Sequence, residues 1–187
     1  MPLSSDDQER LPRSISARWP LLVRLFHWTS ALLLLTTWAL IWLHENTSDD
    51  TDQLLDWHKA CGVLFLVWII GRIVSRVSTR KSAPPAATGP VWQQRLAHST
   101  HGLLYLLMLA MPITGILMVQ LGGHPVNILG WFDLPMVIDA DRHLKKIVHE
   151  LHTELVWTSL WVLTLLHIVA ALYHQLIMKD KLINRMK

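Results

Sequence analysis

Eleven histidines stand in a chain of 187 residues. Several fall inside long apolar runs, where a titratable side chain is costly and marks a functional site. The informative ones are His27, His58, His167 and the close pair His149 and His152. In apolar surroundings a neutral imidazole serves above all as a metal ligand. The bland alternative is a histidine at the membrane interface, satisfied by water or by a neighbouring helix. The single cysteine, Cys61, allows no intramolecular disulfide and no cysteine-built metal site, and reads as a small buried hydrophobe. A zinc-protease reading fails on spacing. His149-Glu150-Leu151-His152 sets its histidines three apart, whereas that helix motif needs them four apart.

The elements that must position these imidazoles are long and apolar. Hydrophobic residues make up 51% of the chain and mean hydropathy is +0.31, high for a soluble domain. Ten tryptophans against two tyrosines and three phenylalanines point to membrane interfaces. A helix needs about 20 mostly apolar residues to cross the hydrocarbon. Four segments qualify: Leu21 to Leu43, Trp57 to about Ile73, Leu96 to Leu121 with Pro112 and Gly115 inside it, and Ile147 to Met178. No strand pattern and no internal repeat is read. The expected fold is all-α, an integral membrane four-helix bundle forming one domain over residues 1–187. The polar start and the full length of the first apolar run argue against a cleavable signal peptide.

Charge sets the expected orientation. Of 17 lysines and arginines, all but Lys59, Arg142, Lys145 and Lys146 fall on one side. They run from Arg10 and Arg13 through the Ser82–Pro90 connector to Lys181 and Lys187 in the tail. By the positive-inside rule both termini are cytoplasmic, with residues 1–20 and 179–187 as cytoplasmic segments. The acidic run Glu45, Asp49, Asp50, Asp52 and Asp56 then lies outside.

Orientation sorts the histidines into two levels. His27 and His167 lie at the inner level, and His58 with His152 or His149 at the outer one. From His152 to His167 the helical rise is about 22 Å, enough to separate two sites across a core of about 30 Å. Two histidines per level is what bis-histidine haem ligation requires, because the macrocycle supplies the four equatorial nitrogens. Arg24, Arg72 and Arg76 stand where haem propionates would lie, although arginines at span ends also snorkel. His98 and His101 share a face near the inner level, and His174 shares a face with His167. They are candidates for a quinone site or a proton path. Trp28, beside His27, is placed to pack on a flat cofactor. His44, His124 and His143 receive no role.

The motifs now in view resemble the bacterial cytochrome b561 family of small dihaem membrane proteins, and the related b-type subunits of hydrogenases and formate dehydrogenases. They are Arg24-Leu-Phe-His27-Trp28, Trp57-His58-Lys-Ala-Cys-Gly62, Ala97-His98-Ser-Thr-His101 with Tyr105, Met111-Pro112-Ile-Thr-Gly115, His149-Glu-Leu-His152, and Leu166-His167 through Tyr173-His174. The tail residues Lys179-Asp180 and Arg185-Met186 fit as well. Together they span nearly the whole chain. The resemblance implies four helices, two b haems and axial ligands at His27, His58, His152 and His167. It also implies a bacterial inner-membrane location and ubiquinone as the membrane partner.

One spacing departs from the family. Its two ligands on the last span stand 14 residues apart; here His167 follows His152 by 15 and His149 by 18. At 3.6 residues per turn, 18 residues return a helix to about the same face and 15 overshoot by about 60°. Angle therefore favours His149, while the bilayer depth favours His152, which we take as the ligand. That choice predicts a π-bulge between His152 and His167, with Thr158-Ser159 as a place where hydroxyls could take up freed carbonyls.

Some members of the family resemble superoxide oxidases. The outer basic group Arg142, His143, Lys145 and Lys146 suits a small anion such as superoxide. Asp139, Asp141, Glu150 and Glu154 offset it in part. Outer loops read as short leave little room for a large docking partner. The runner-up is an electron-carrier subunit with a protein redox partner. No nucleic acid partner is expected, and lipid is.

Overall fold

The computed structural model describes residues 18–47, 52–84, 90–180 and 182–187. Arg10, Arg13, Asp49, Asp50, most of the Ser82–Pro90 connector and Lys181 lie outside the described residues. Four helices long and apolar enough to cross a membrane follow one another: α1 (Leu21–Asn46), α2 (Gln53–Ser78), α3 (Val91–Leu121) and α4 (Arg142–Met178). Each extends beyond its expected apolar run at one or both ends except at Leu21, Leu121 and Met178. Prolines mark two starts: Pro20 and Pro90 precede α1 and α3, where a missing N–H costs nothing. Asp141 caps α4, its carboxylate accepting from the N–H groups of His143 (2.8 Å) and Leu144 (2.9 Å).

The packing is asymmetric. α1 lies against α2, α2 against α3, and α3 against α4. Gly71 lets α1 and α2 close: an added Cβ there would stand 3.0 Å from the Phe26 ring. That ring tilts onto Trp68 at 5.2 Å, and Trp68 donates its indole N–H to Thr29 Oγ1 at 2.6 Å. The buried apolar cluster is small: Phe65, Ile69, Leu104, Met108 and Leu160. Leu32, Val67, Leu106 and Leu165, more than 60% exposed, turn outward from all four helices, as lipid solvation demands.

The predicted irregularity in α4 is present. Residues Leu151–Val156 wind as a π-helix, between α-helical Arg142–Glu150 and Trp157–Tyr173. It lies nearer the outer end than Thr158-Ser159, which sit in regular α-helix. Thr153 supplies the hydroxyl instead, donating to the His149 carbonyl at 2.9 Å. A second π turn, His174–Met178, was not anticipated; it ends at Lys179 in the left-handed region (φ 56°).

Two further features correct the sequence reading. A short antiparallel hairpin, β1 (Val126–Ile128) with β2 (Phe132–Leu134), follows α3. Three residues per strand are too few to leave an alternating pattern in the sequence. The hairpin rests on the outer end of α2 through β1, with Val126 fully buried. Its following segment is pinned by Gln120, which donates to the Pro135 carbonyl (3.0 Å) and accepts from the Val137 N–H (3.3 Å). The connection from α3 to α4, expected to face outside, is therefore a built cap rather than a bare short loop, with Trp131, Phe132 and Val137 exposed. At the other end the tail folds back on α1. Arg185 O accepts from Trp19 N–H (3.0 Å), Met186 O from the Trp28 indole (2.8 Å), and Lys187 O from the Arg24 guanidinium.

Because the Gln120 amide is buried with both ends paired, Gln120→Ala leaves two backbone groups of the cap without their partners. We expect a loss of about 1–3 kcal/mol, read as a lower thermal midpoint in detergent and as new protease cleavage between residues 126 and 138. An unchanged midpoint with no new cleavage would show that the cap does not depend on this side chain.

Candidate functional site

The two helices that carry the histidines of each facing pair do not pack backbone to backbone. Among the described residues, no Cα of α1 or α2 comes within 8 Å of a Cα of α4. α1 and α4 meet through side chains at mid-height, where the rings of Trp38 and Trp161 stand 5.4 Å apart. On either side of that contact an imidazole pair spans the gap. His27 on α1 faces His167 on α4 with ring centres 6.3 Å apart. His58 on α2 faces His152 on α4 at 6.5 Å.

Those separations can be tested against an iron held between the rings. With metal–imidazole bonds of about 2 Å, and about 1.2 Å from ring nitrogen to ring centre, two imidazoles sharing one iron stand roughly 6 Å apart. Both pairs fit. Among the described residues no three His, Cys, Asp or Glu side chains gather as a bare ion would need. Two axial imidazoles and nothing else suit a metal that brings its own equatorial nitrogens.

Space beside the outer pair fits the same group. Gly62 lies one helical turn from His58 on the same face, and a Cβ there would meet nothing within 4 Å. Gly115 on α3 does the opposite: an added Cβ would press to 3.1 Å of His152 Cε1, so glycine lets the ring seat against α3.

The outer imidazoles are also held through their second nitrogens. His58 Nδ1 lies 2.8 Å from the Thr37 carbonyl, which can only accept, so Nδ1 carries the proton. His152 Nδ1 lies 2.9 Å from Thr114 Oγ1. That hydroxyl gives its one hydrogen to the carbonyls of Ala110 (2.8 Å) and Met111 (2.9 Å), so His152 is again the donor. In both rings Nε2 is left with its lone pair for a metal. The inner pair differs: His27 Nδ1 is buried without a hydrogen-bond partner.

The other sequence candidates divide. His101 comes to the inner level, its ring 5.3 Å from that of His167. His98 does not: it is exposed, and its Nδ1 bonds its own helix at the Gln94 carbonyl (2.7 Å). Arg72 lies over the Tyr105 ring at 5.2 Å. Arg76 stacks over Trp19 at 3.7 Å. Arg24 reaches the tail and keeps a buried Nε without a partner. His174 is paired to Asp180 at 2.6 Å. His149 is exposed, while His152 is buried and opposite His58. Sequence reasoning assigned nothing to Thr37, Gly62, Thr114 or Gly115. Three of these lay within motifs already quoted, but their role depends on which helix faces which.

Comparison with known proteins gives matches along nearly the whole chain. A family model described as prokaryotic cytochrome b561 matches residues 18–187. "Cytochrome b561 homolog 2" of Escherichia coli (strain K12) is 30% identical over 172 residues, covering 90% of each chain. "Cytochrome b561 homolog 1" of the same organism is 28% identical over 168 residues, 86% of this chain and 91% of the relative. "Probable superoxide oxidase CybB" of Yersinia pestis is 30% identical over 162 residues, 86% of this chain and 90% of the relative.

Filling the space beside His58 should separate the two levels. Gly62→Leu is expected to remove or distort the outer cofactor and leave the inner one, halving the bound haem per chain. Two intact haem signals in the Gly62→Leu protein would mean that this space is not part of a haem slot.

Proposed function

The chain belongs to the prokaryotic cytochrome b561 family and is a multi-pass bacterial membrane electron carrier, and from that premise we propose that it is a dihaem superoxide:ubiquinone oxidoreductase of the inner membrane. The family implies haem b, whose iron supplies one-electron redox chemistry. His27 with His167 would hold one haem and His58 with His152 the other. The supporting observation is the pair of ring separations, 6.3 and 6.5 Å, across helices whose backbones stay apart. Arg24, Arg72 and Arg76 would meet the inner propionates. Both termini would be cytoplasmic, a reading supported by the distribution of lysine and arginine.

The residues then divide the work by side. At the outer end Arg142, Lys145 and Lys146 are exposed just before the π segment that carries His152. Asp141, which would oppose them, spends its carboxylate on capping α4. The net field would draw a small anion toward the outer level. Superoxide is favoured because the name of the Yersinia relative carries that activity. At the inner end His101 beside His167 would meet ubiquinone, and the His174–Asp180 pair lies on the side from which quinone protons come.

A second reading has its own observation. The pinned hairpin exposes Trp131, Phe132 and Val137, and such aromatic and aliphatic surface suits a protein redox partner. The chain would then be an electron-carrier subunit.

Three measurements test the proposal. A pyridine haemochrome assay should give about two b haems per polypeptide; about one or none overturns the dihaem reading. His27→Ala or His167→Ala should lose only the inner haem, and His58→Ala or His152→Ala only the outer. Neutralising Lys145 and Lys146 to Gln should slow superoxide-driven haem reduction roughly three- to tenfold at low salt and flatten its salt dependence. Quinol-driven reduction should barely change. If superoxide reduces the wild-type haems no faster than a haem-free control's acceptor, the oxidase reading gives way to the carrier subunit.

A further inference from the structure

The two histidine pairs are not equivalent, and the difference lies in the nitrogens that face away from the metal. At the outer level both rings donate through Nδ1, His58 to the Thr37 carbonyl at 2.8 Å and His152 to Thr114 Oγ1 at 2.9 Å. At the inner level His27 Nδ1 is buried with no partner. A ligand imidazole that donates to an acceptor becomes more basic and gives more electron density to its metal. The more basic pair favours the ferric state and lowers the reduction potential of the site.

We infer that the outer site is held at a lower reduction potential than the inner one by the acceptors behind its imidazoles, with Thr114 as a positioning residue that sets the outer potential through His152. The inference rests on the dihaem reading above. It adds an ordering of the two sites to that reading and names a residue on α3, the helix that would supply no ligand.

The test is a potentiometric titration of the full-length protein in detergent, followed by haem absorbance. Wild type should give two one-electron waves. His58→Ala should retain the higher wave and lose the lower, and His27→Ala the reverse. Thr114→Val keeps the side-chain shape but removes the acceptor. It should move only the lower wave upward, shifting the electron partition about tenfold, or about 59 mV for a one-electron couple. Thr114→Ser, which keeps the hydroxyl, should restore it. If His58→Ala removes the higher wave, the order is wrong and the inference falls while the dihaem reading survives. If Thr114→Val binds two haems and moves neither wave, or only the higher one, the role of Thr114 falls. Should Thr114→Val fail to hold haem, the single-haem variants still decide the order. A wild-type protein with fewer than two haems overturns the dihaem reading and this inference with it.

Discussion

The structure depends on keeping apart helices that would otherwise close. A flat cofactor between two imidazoles needs ring centres about 6 Å apart, which forbids direct backbone packing of the helices that carry them. α4, which supplies an imidazole to each pair, accordingly stays clear of both α1 and α2. α3 makes this possible. It has no ligand of its own, yet it packs on α2 and on α4, and Gly115 and Thr114 receive the His152 ring. The Trp38–Trp161 contact sets the spacing of α1 and α4 at mid-height. The small apolar core is consistent with the proposed site, because volume between helices would be kept for cofactor while the outer faces turn to lipid.

The same demand explains the strain in α4. Its two histidines must present to one side from positions 15 apart, and an ideal helix would rotate them by about 60°. The π segment Leu151–Val156 takes up the extra residue next to His152. Thr153 repairs the ladder where the winding changes, through the His149 carbonyl. A π turn in a helix is frequently a mark of function, and here it has a geometric reason.

The ends of the bundle are closed differently. At the end that the charge pattern would place outside, a hairpin pinned by the Gln120 amide rests on α2 above His58. At the opposite end the tail returns to the start of α1, where Trp28 and Arg24 bind its carbonyls one turn or less from His27. Each closure uses backbone groups as partners, which fixes position without bringing further charge into the apolar zone.

Much of this was legible in the sequence. The four spans follow from runs of apolar residues, since length and hydropathy are local properties. The four facing histidines followed from depth, because a constant rise per residue converts position into level. Even the irregularity in α4 was legible, from a single count of 15 residues set against a helical repeat. Its place was not: the hydroxyl that stabilises it is Thr153, five residues before the expected Thr158. The hairpin was invisible because three-residue strands carry no period. His98 and His101 looked equivalent by spacing, yet only His101 reaches His167, because the angle at which α3 meets α4 decides which of two neighbours on one face points inward. Thr114 and Gly115 sat in a motif without a role until the fold brought α3 against His152. The sequence by itself determined the spans, the levels and the imidazoles, which are set by composition and rise along one chain. Tertiary structure alone decided which nitrogen His58 and His152 leave free and which pair gains acceptors behind its rings, because those depend on groups 21 and 38 residues away in sequence.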